Sequence, residues 1–312
     1  MDPLDTLSPS GAYTDIDTLL RLRFAAGELA LFARRPSAAV ISGQVRTRFR
    51  GRGMEFEEVR PYQPGDDIRS IDWRVTARTQ AAYTKLYREE RERPVFVWVD
   101  QRAPMFFGSR GCFKSVLAAH LASLLGWAAL NNSDRIGAQV FGDRDHHDIR
   151  PRRSKHALLE LIHQLHESNH RLHTPVAPAG GKRLEDMLAD ARRVSKPGSA
   201  VFLISDFHDF TRACEEQLFQ LARHTDITLF ALADPLESRL PDTTRLTVSD
   251  GQRRLPVDTA DPQLAQAFSQ RYQQRRRALQ KTCAALAVPL VSVATGDDPV
   301  ALLRGLYGRK RR

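Results

Sequence analysis

The chain has 312 residues, 42% of them hydrophobic and 27% charged, with a formal net charge of +10. This composition supports a large core and excludes a disordered chain, and no apolar run reaches the roughly 18–20 residues that span a bilayer. Cys112, Cys214 and Cys283 are odd in number and lack a Cys-x-x-Cys pairing, which excludes a disulfide framework and a thiolate zinc site.

The start Met1-Asp-Pro-Leu-Asp-Thr lacks the cationic segment of a secretory leader. The expectation is a cytoplasmic protein with free thiols and no cofactor. The positive excess points to an anionic partner: nucleic acid, an acidic protein or anionic headgroups. It is concentrated in the tail Gly308-Arg-Lys-Arg-Arg312 and at Arg271, Arg275, Arg276, Arg277 and Lys281.

Residues 13–35 carry helical spacing through Leu19, Leu22, Leu29 and Phe32, ended by Pro36, and form an N-terminal helical lead-in over 1–38. Gln44–Arg50 alternates, with Val45, Thr47 and Phe49 opposed to Gln44, Arg46, Arg48 and Arg50, the period of a half-buried strand with a basic outer face. The block Gly51–Arg78 mixes acids and arginines with Phe56, Val59, Tyr62, Ile68, Ile71 and Trp73. Its charges are expected to lie beside buried rings, where each needs a partner. Pro64-Gly65 marks a turn, and Asp66 or Asp67 caps a short helix with Ile68, Ile71 and Val75 on one face. Residues 82–88 alternate again, closing a β-rich element over 39–93.

From Pro94 onward short apolar strands alternate with amphipathic helices, the rhythm of an α/β fold. Strands are expected at 95–100, 135–141, 147–150, 200–206, 226–234 and 288–293. Helices are expected at 113–130, 155–169, 183–194, 261–286 and 299–306, with a hairpin insertion near 244–258 turning at Asp250-Gly251. Asp100, Asp206 and Asp234 close three of the strands, where ligands bind in doubly wound sheets. The loop Gly180-Gly181-Lys182 is expected at the same edge. His163, His166 and His170 share a helix flank at metal-ligand spacing, but no acid or thiol converges on them, and they read as surface histidines.

The alternation over 94–312 resembles a von Willebrand factor A domain, whose metal-ion-dependent adhesion site uses an Asp-x-Ser-x-Ser loop, a later Thr and an Asp after the fourth strand. Here the loop reads Asp100-Gln101-Arg102-Ala103-Pro104, and Lys182 stands where that family tends to carry Thr. Asp100 and Asp206 remain, while Arg102, Pro104 and Lys182 replace hydroxyl ligands, which argues against a bound Mg²⁺. The expectation is that Arg102 or Lys182 supplies the positive charge holding the two aspartates.

A second resemblance rests on Gly53, Glu55, Phe56, Glu58, Arg60, Tyr62, Gly65, Asp66, Asp67, Arg69, Ile71, Asp72, Trp73, Arg74, Ala77 and Arg78 in fixed order. It is similar to the signature of the DUF58 family, a domain of unknown function. That resemblance implies a von Willebrand A-like fold behind a small β-rich element and an adaptor role beside a MoxR-type AAA+ ATPase acting on a client protein. Catalysis by the block is not expected, since Arg60, Arg69, Arg74 and Arg78 can pair its acids and no His or Cys adjoins them. It reads as a salt-bridged scaffold and partner surface. The alternative is nucleic-acid binding through Arg46, Arg48, Arg50, Arg52 and the tail.

Overall fold

The computed structural model describes residues 7–31, 54–63, 66–79, 81–89, 94–172, 181–241, 246–249 and 254–308, excepting the side chains of 54–58, 85–89 and 248. The strand expected at Gln44–Arg50 and the turns expected at Pro64-Gly65 and Asp250-Gly251 lie outside the described residues. Residues 1–34 with 93–312 make one compact unit, and 35–92 a second.

The chain begins with α1 (Ile16–Ala26), shorter than the expected 13–35. Asp15 caps it by accepting from the Thr18 N–H, satisfying one of the orphan donors at a helix start. The smaller unit follows, with β1 (Met54–Pro61), α2 (Trp73–Thr79) and β2 (Tyr83–Glu89). β1 and β2 pair antiparallel, with a bulge between Phe56 and Glu58. The single capped helix expected after Asp67 is in fact two pieces. A 3-10 turn over Ile68–Ser70 is capped by Asp67, and Ile71 then turns extended to bridge Thr84. Asp72 restarts the chain as α2 by accepting from the Arg74 and Val75 N–H groups at 3.0 and 3.3 Å.

The larger unit continues with β3 (Pro94–Asp100), α3 (Lys114–Asn131), β4 (Arg135–Phe141), β5 (His146–Arg152), α4 (Lys155–Arg171), α5 (Leu184–Val194), β6 (Ala200–Ser205), α6 (Arg212–Ala222), β7 (Asp226–Ala233) and α7 (Pro235–Ser238). A hairpin of β8 (Leu246–Ser249) and β9 (Arg254–Val257) leads to α8 (Pro262–Ala285), β10 (Leu290–Ala294) and α9 (Pro299–Tyr307). The helix α6 was not expected from the sequence. Its buried stripe is only Cys214, Leu218 and Leu221, too short a periodic signal to stand out.

Six strands form one sheet in the order β10-β7-β6-β3-β4-β5. Every neighbouring pair is parallel except β4 with the edge strand β5. Side chains alternate across β3: Val95, Val97 and Val99 join the core shared with α1, α3 and α4, while Phe96 and Trp98 join the one shared with α5, α6 and the end of α8. This two-sided burial explains why the strand reads as a continuous apolar run. From β3 the chain moves outward to β4 and β5, then returns to β6 on the other flank. Strand order therefore reverses between β3 and β6, which places their carboxyl ends at the crevice where such sheets bind ligands.

The N-terminal segment belongs to this core. Leu19 and Leu22 are fully buried, each worth about 1.5–3 kcal/mol, and the Trp127 indole donates to the Leu19 carbonyl at 3.2 Å. His166 and His170, expected to be idle on the surface, lie 3.1 and 3.0 Å from the Thr14 carbonyl. Asn169 Oδ1 accepts from the Thr14 N–H at 2.7 Å, so this flank of α4 clasps the segment entering α1.

His120, inside α3, has Nδ1 2.9 Å from the Val116 carbonyl, and its buried Nε2 has no hydrogen-bond partner among the described residues. Burial lowers its pKa from 6.5 to about 4. The unfolded chain takes the proton near the ordinary histidine value and the folded chain only near the lowered one, so stability falls as pH drops through that window, by about 3 kcal/mol. In His120→Leu the slope of unfolding free energy against pH should flatten between these limits in urea titrations. An unchanged slope would show that His120 is not held neutral by burial.

Candidate functional site

β3 ends in Asp100 and β6 runs into Asp206, on the two sides of the strand-order reversal. Arg102 lies just beyond β3, and its side chain is only 3% exposed. Its Nε and Nη2 donate to the two oxygens of Asp100 at 3.0 and 2.7 Å. Nη1 and Nη2 donate to the two oxygens of Asp209 at 2.7 and 3.0 Å, and Nη1 also reaches the Lys182 carbonyl at 3.3 Å. These contacts engage all five N–H donors of a guanidinium. Burial alone would lower the Arg102 pKa, but the charges of Asp100 and Asp209 outweigh it and raise it further.

Asp100 has no capacity left. Besides Arg102 Nε and Nη2, its Oδ1 accepts the Arg102 backbone N–H at 3.0 Å and its Oδ2 the Ser205 hydroxyl at 2.7 Å. Asp209 comes from the turn after β6 and also accepts the Leu184 N–H at the start of α5. Burial pushes the Asp209 pKa up, but the Arg102 guanidinium brings it below the ordinary value on balance.

Asp206 is held differently from the sequence expectation. Neither Arg102 nor Lys182 supplies its cation: Lys114, the first residue of α3, does so at 2.7 Å. Lys114 Nζ also bonds Glu237 at 2.5 Å, and its side chain is 1% exposed. His208 completes the arrangement with Nδ1 3.0 Å from Asp206 Oδ1. Burial pushes the Asp206 pKa up, but His208 and Lys114 bring it well below the usual carboxylate range. Burial lowers the His208 pKa, and Asp206 and Asp209 raise it above the ordinary value on balance. Lys182 instead sets its Nζ against His146 Nδ1. Pro104 sits in a 3-10 turn over Ala103–Met105. Asp234 caps α7 and accepts from Ser109 and Thr295.

This donor set does not fit a metal ion. Both oxygens of Asp100 and of Asp206 are already engaged by cations and N–H or O–H donors, where a hard divalent cation would need open oxygens. Among the described residues no three His, Cys, Asp or Glu side chains are grouped to hold one. The thiols are equally unsuited to nucleophilic attack. Burial, reinforced by Asp234, pushes Cys112 to about 12, and burial pushes Cys283 to about 11 and raises Cys214, so all three remain thiols.

In the smaller unit, Asp66 pairs with Arg60 at 2.7 Å and accepts the Gln63 N–H at 3.0 Å, while the Tyr62 hydroxyl donates to the Asp66 carbonyl at 3.4 Å. Asp67 and Asp72 also accept from backbone N–H groups at the helix starts described above. Rings and branched chains expected to be buried are not all so. Val59, Tyr62 and Ile71 are half-buried, but Ile68 is 65% and Trp73 67% exposed. Arg69, Arg74 and Arg78 are exposed. The side chains of Glu55, Phe56 and Glu58 lie outside the described residues.

Residues 58–278 match the model of the family described as "Protein of unknown function DUF58". The chain belongs to the DUF58 family. Its relatives include the uncharacterized proteins Rv1480 and MT1527 of Mycobacterium tuberculosis and Mb1516 of Mycobacterium bovis. Each is 28% identical over 309 residues, covering 97% of this chain and 94% of the relative. A solved structure, the conserved hypothetical protein BatB from Bacteroides thetaiotaomicron, superposes with a TM-score of 0.42 at 13% identity over 69% of this chain and 95% of that one. Among the described residues of this DUF58 protein, no helix is long and apolar enough to cross a membrane.

Proposed function

We propose that this DUF58 protein is a non-enzymatic interaction adaptor, built on a von Willebrand A-like sheet, that partners a MoxR-type AAA+ ATPase in the maturation or assembly of other proteins. The observation that carries the reading is the closed state of the sheet's ligand-binding edge. Arg102 fills the space between Asp100 and Asp209, and Lys114 that between Asp206 and Glu237. In this reading the chain's own cations stand where an adhesion-type domain would hold its metal, so the edge is a fixed platform. The neutral thiols and saturated carboxylates at that edge favour recognition over reaction.

The test is binding between the purified full-length chain and the MoxR-type ATPase of its host. Wild-type binding is expected, and Asp72→Ala is expected to weaken it with a small change in melting temperature, because Asp72 orders the exposed α2. Asp100→Ala is expected to lower both binding and melting temperature. Absence of binding by the wild type at micromolar concentration would overturn the proposal. Duplex DNA binding with a steep salt slope in its place would assign the protein to nucleic acid.

A further inference from the structure

Helix α8 has more length and charge than its packing requires. Its inward stripe ends in Leu279 and Cys283, and no residue before Leu279 is buried. Over residues 262–278, roughly 25 Å of helix at 1.5 Å per residue, the inward stripe of Ala265, Ser269, Tyr272 and Arg276 is only half-buried. Between Pro262 and Ala285 there is no Asp or Glu, while Arg271, Arg275, Arg276, Arg277 and Lys281 are all cationic. Arg271 with Arg275 and Arg277 with Lys281 are like charges at i, i+4, a spacing that destabilises a helix. A helix with so little buried surface and no opposite-charge pairs along it gains little from its own side chains.

One flank has a distinct pattern. Leu264, Phe268, Arg271 and Arg275 recur at i, i+4, i+7 and i+11 and so share one narrow face. All four are exposed, with Leu264 at 39% and Phe268 at 36%. The face leads down to a cleft lined in part by His208, Tyr272, Arg275 and Arg276. There Arg275 donates to the His208 carbonyl at 3.5 Å, and Arg276 bonds the Ser292 hydroxyl. The flank thus ends beside the Asp206–Lys114 group at the carboxyl edge of the sheet.

We propose that this flank of α8 docks an acidic protein surface that also presents apolar side chains, namely a surface of the ATPase partner, so the inference rests on the adaptor reading. Carboxylates would relieve the like-charge repulsion along the helix, and an apolar socket would cover Leu264 and Phe268. A duplex phosphodiester backbone would engage the arginines but leave both apolar residues in water. A helix lying in an anionic membrane separates its cationic and apolar faces, whereas here both share one flank.

Binding of the purified full-length chain to the host's MoxR-type ATPase would be compared for wild type, for Arg271→Glu combined with Arg275→Glu, and for Phe268→Ala. The double reversal is expected to weaken binding at least about tenfold and to flatten its salt dependence, and Phe268→Ala to weaken it about tenfold, with melting temperatures unchanged. Wild-type binding that both variants retain in full overturns the inference and leaves the adaptor reading intact. Absence of wild-type binding overturns both. Loss of binding to duplex DNA or to phosphatidylserine vesicles in the reversal variant, with ATPase binding unaltered, overturns the inference in favour of that ligand.

Discussion

Arg102→Met should lower the unfolding free energy by about 3–5 kcal/mol, the cost of leaving a buried charge without its partner. The deficit arises at Asp100, whose side chain is 1% exposed; Asp209 is 24% exposed and can turn toward water. After the substitution Asp100 keeps only the Ser205 hydroxyl and the backbone N–H of residue 102. Adding Asp100→Asn should recover most of the loss, because the remaining side chain is neutral and still accepts from Ser205. The coupling in such a cycle is expected at the upper end of the roughly 0.5–3 kcal/mol seen for contacting pairs. Arg102→Lys should fall between wild type and Met, since an ammonium cannot bridge two carboxylates bidentately. Urea denaturation of wild type, Arg102→Met, Arg102→Lys, Asp100→Asn and the double variant decides the matter. A loss below about 1 kcal/mol for Arg102→Met would place this pair among solvated ion pairs and remove the case for a closed site.

The sheet was legible because its strands are buried on both faces and its helices are amphipathic, both local signals. Val95–Asp100 and Ala200–Ser205 are continuous apolar runs, and the acids after them fall at the strand ends by position alone. Arg102 as the cation on Asp100 was also within reach, since only Gln101 lies between them. Lys114 was not, because its partner Asp206 is 92 residues away and no local period encodes that distance. A signal for it did exist. Lys114 is the one Lys or Arg in the largely apolar helix Lys114–Asn131, and it sits at the N-terminal end, where the helix dipole disfavours a cation. A charge placed against both burial and dipole implies a carboxylate nearby. Asp209 lay hidden for a similar reason, since a turn after β6 brings it to Arg102. The smaller unit departs from expectation at its apolar side chains: Ile68 and Trp73, expected to be buried beside its charges, are exposed.

Lys114→Met is expected to cost a similar 3–5 kcal/mol at neutral pH, about that of breaking a buried pair from one side, and its pH dependence distinguishes charge from packing. Glu237 is 26% exposed and can find water, so the loss falls on Asp206, whose side chain is 3% exposed. In the wild type, burial pushes the Asp206 pKa up, but His208 and Lys114 bring it below the unfolded value. A depressed carboxylate pKa contributes stability that is present above the unfolded pKa and lost as pH falls through the folded one. Without Lys114, only His208 opposes burial, and the folded pKa of Asp206 rises. The gap between wild type and variant should therefore be widest near neutral pH and narrow as pH falls through the carboxylate range, because protonating Asp206 removes the charge that Lys114 neutralised. Combining Lys114→Met with Asp206→Asn should recover stability at neutral pH and abolish the pH dependence of the gap. A gap of constant size at every pH would mean that Lys114 contributes through its aliphatic stem packed at the start of α3, and that the second cation of the sheet edge is incidental to the platform.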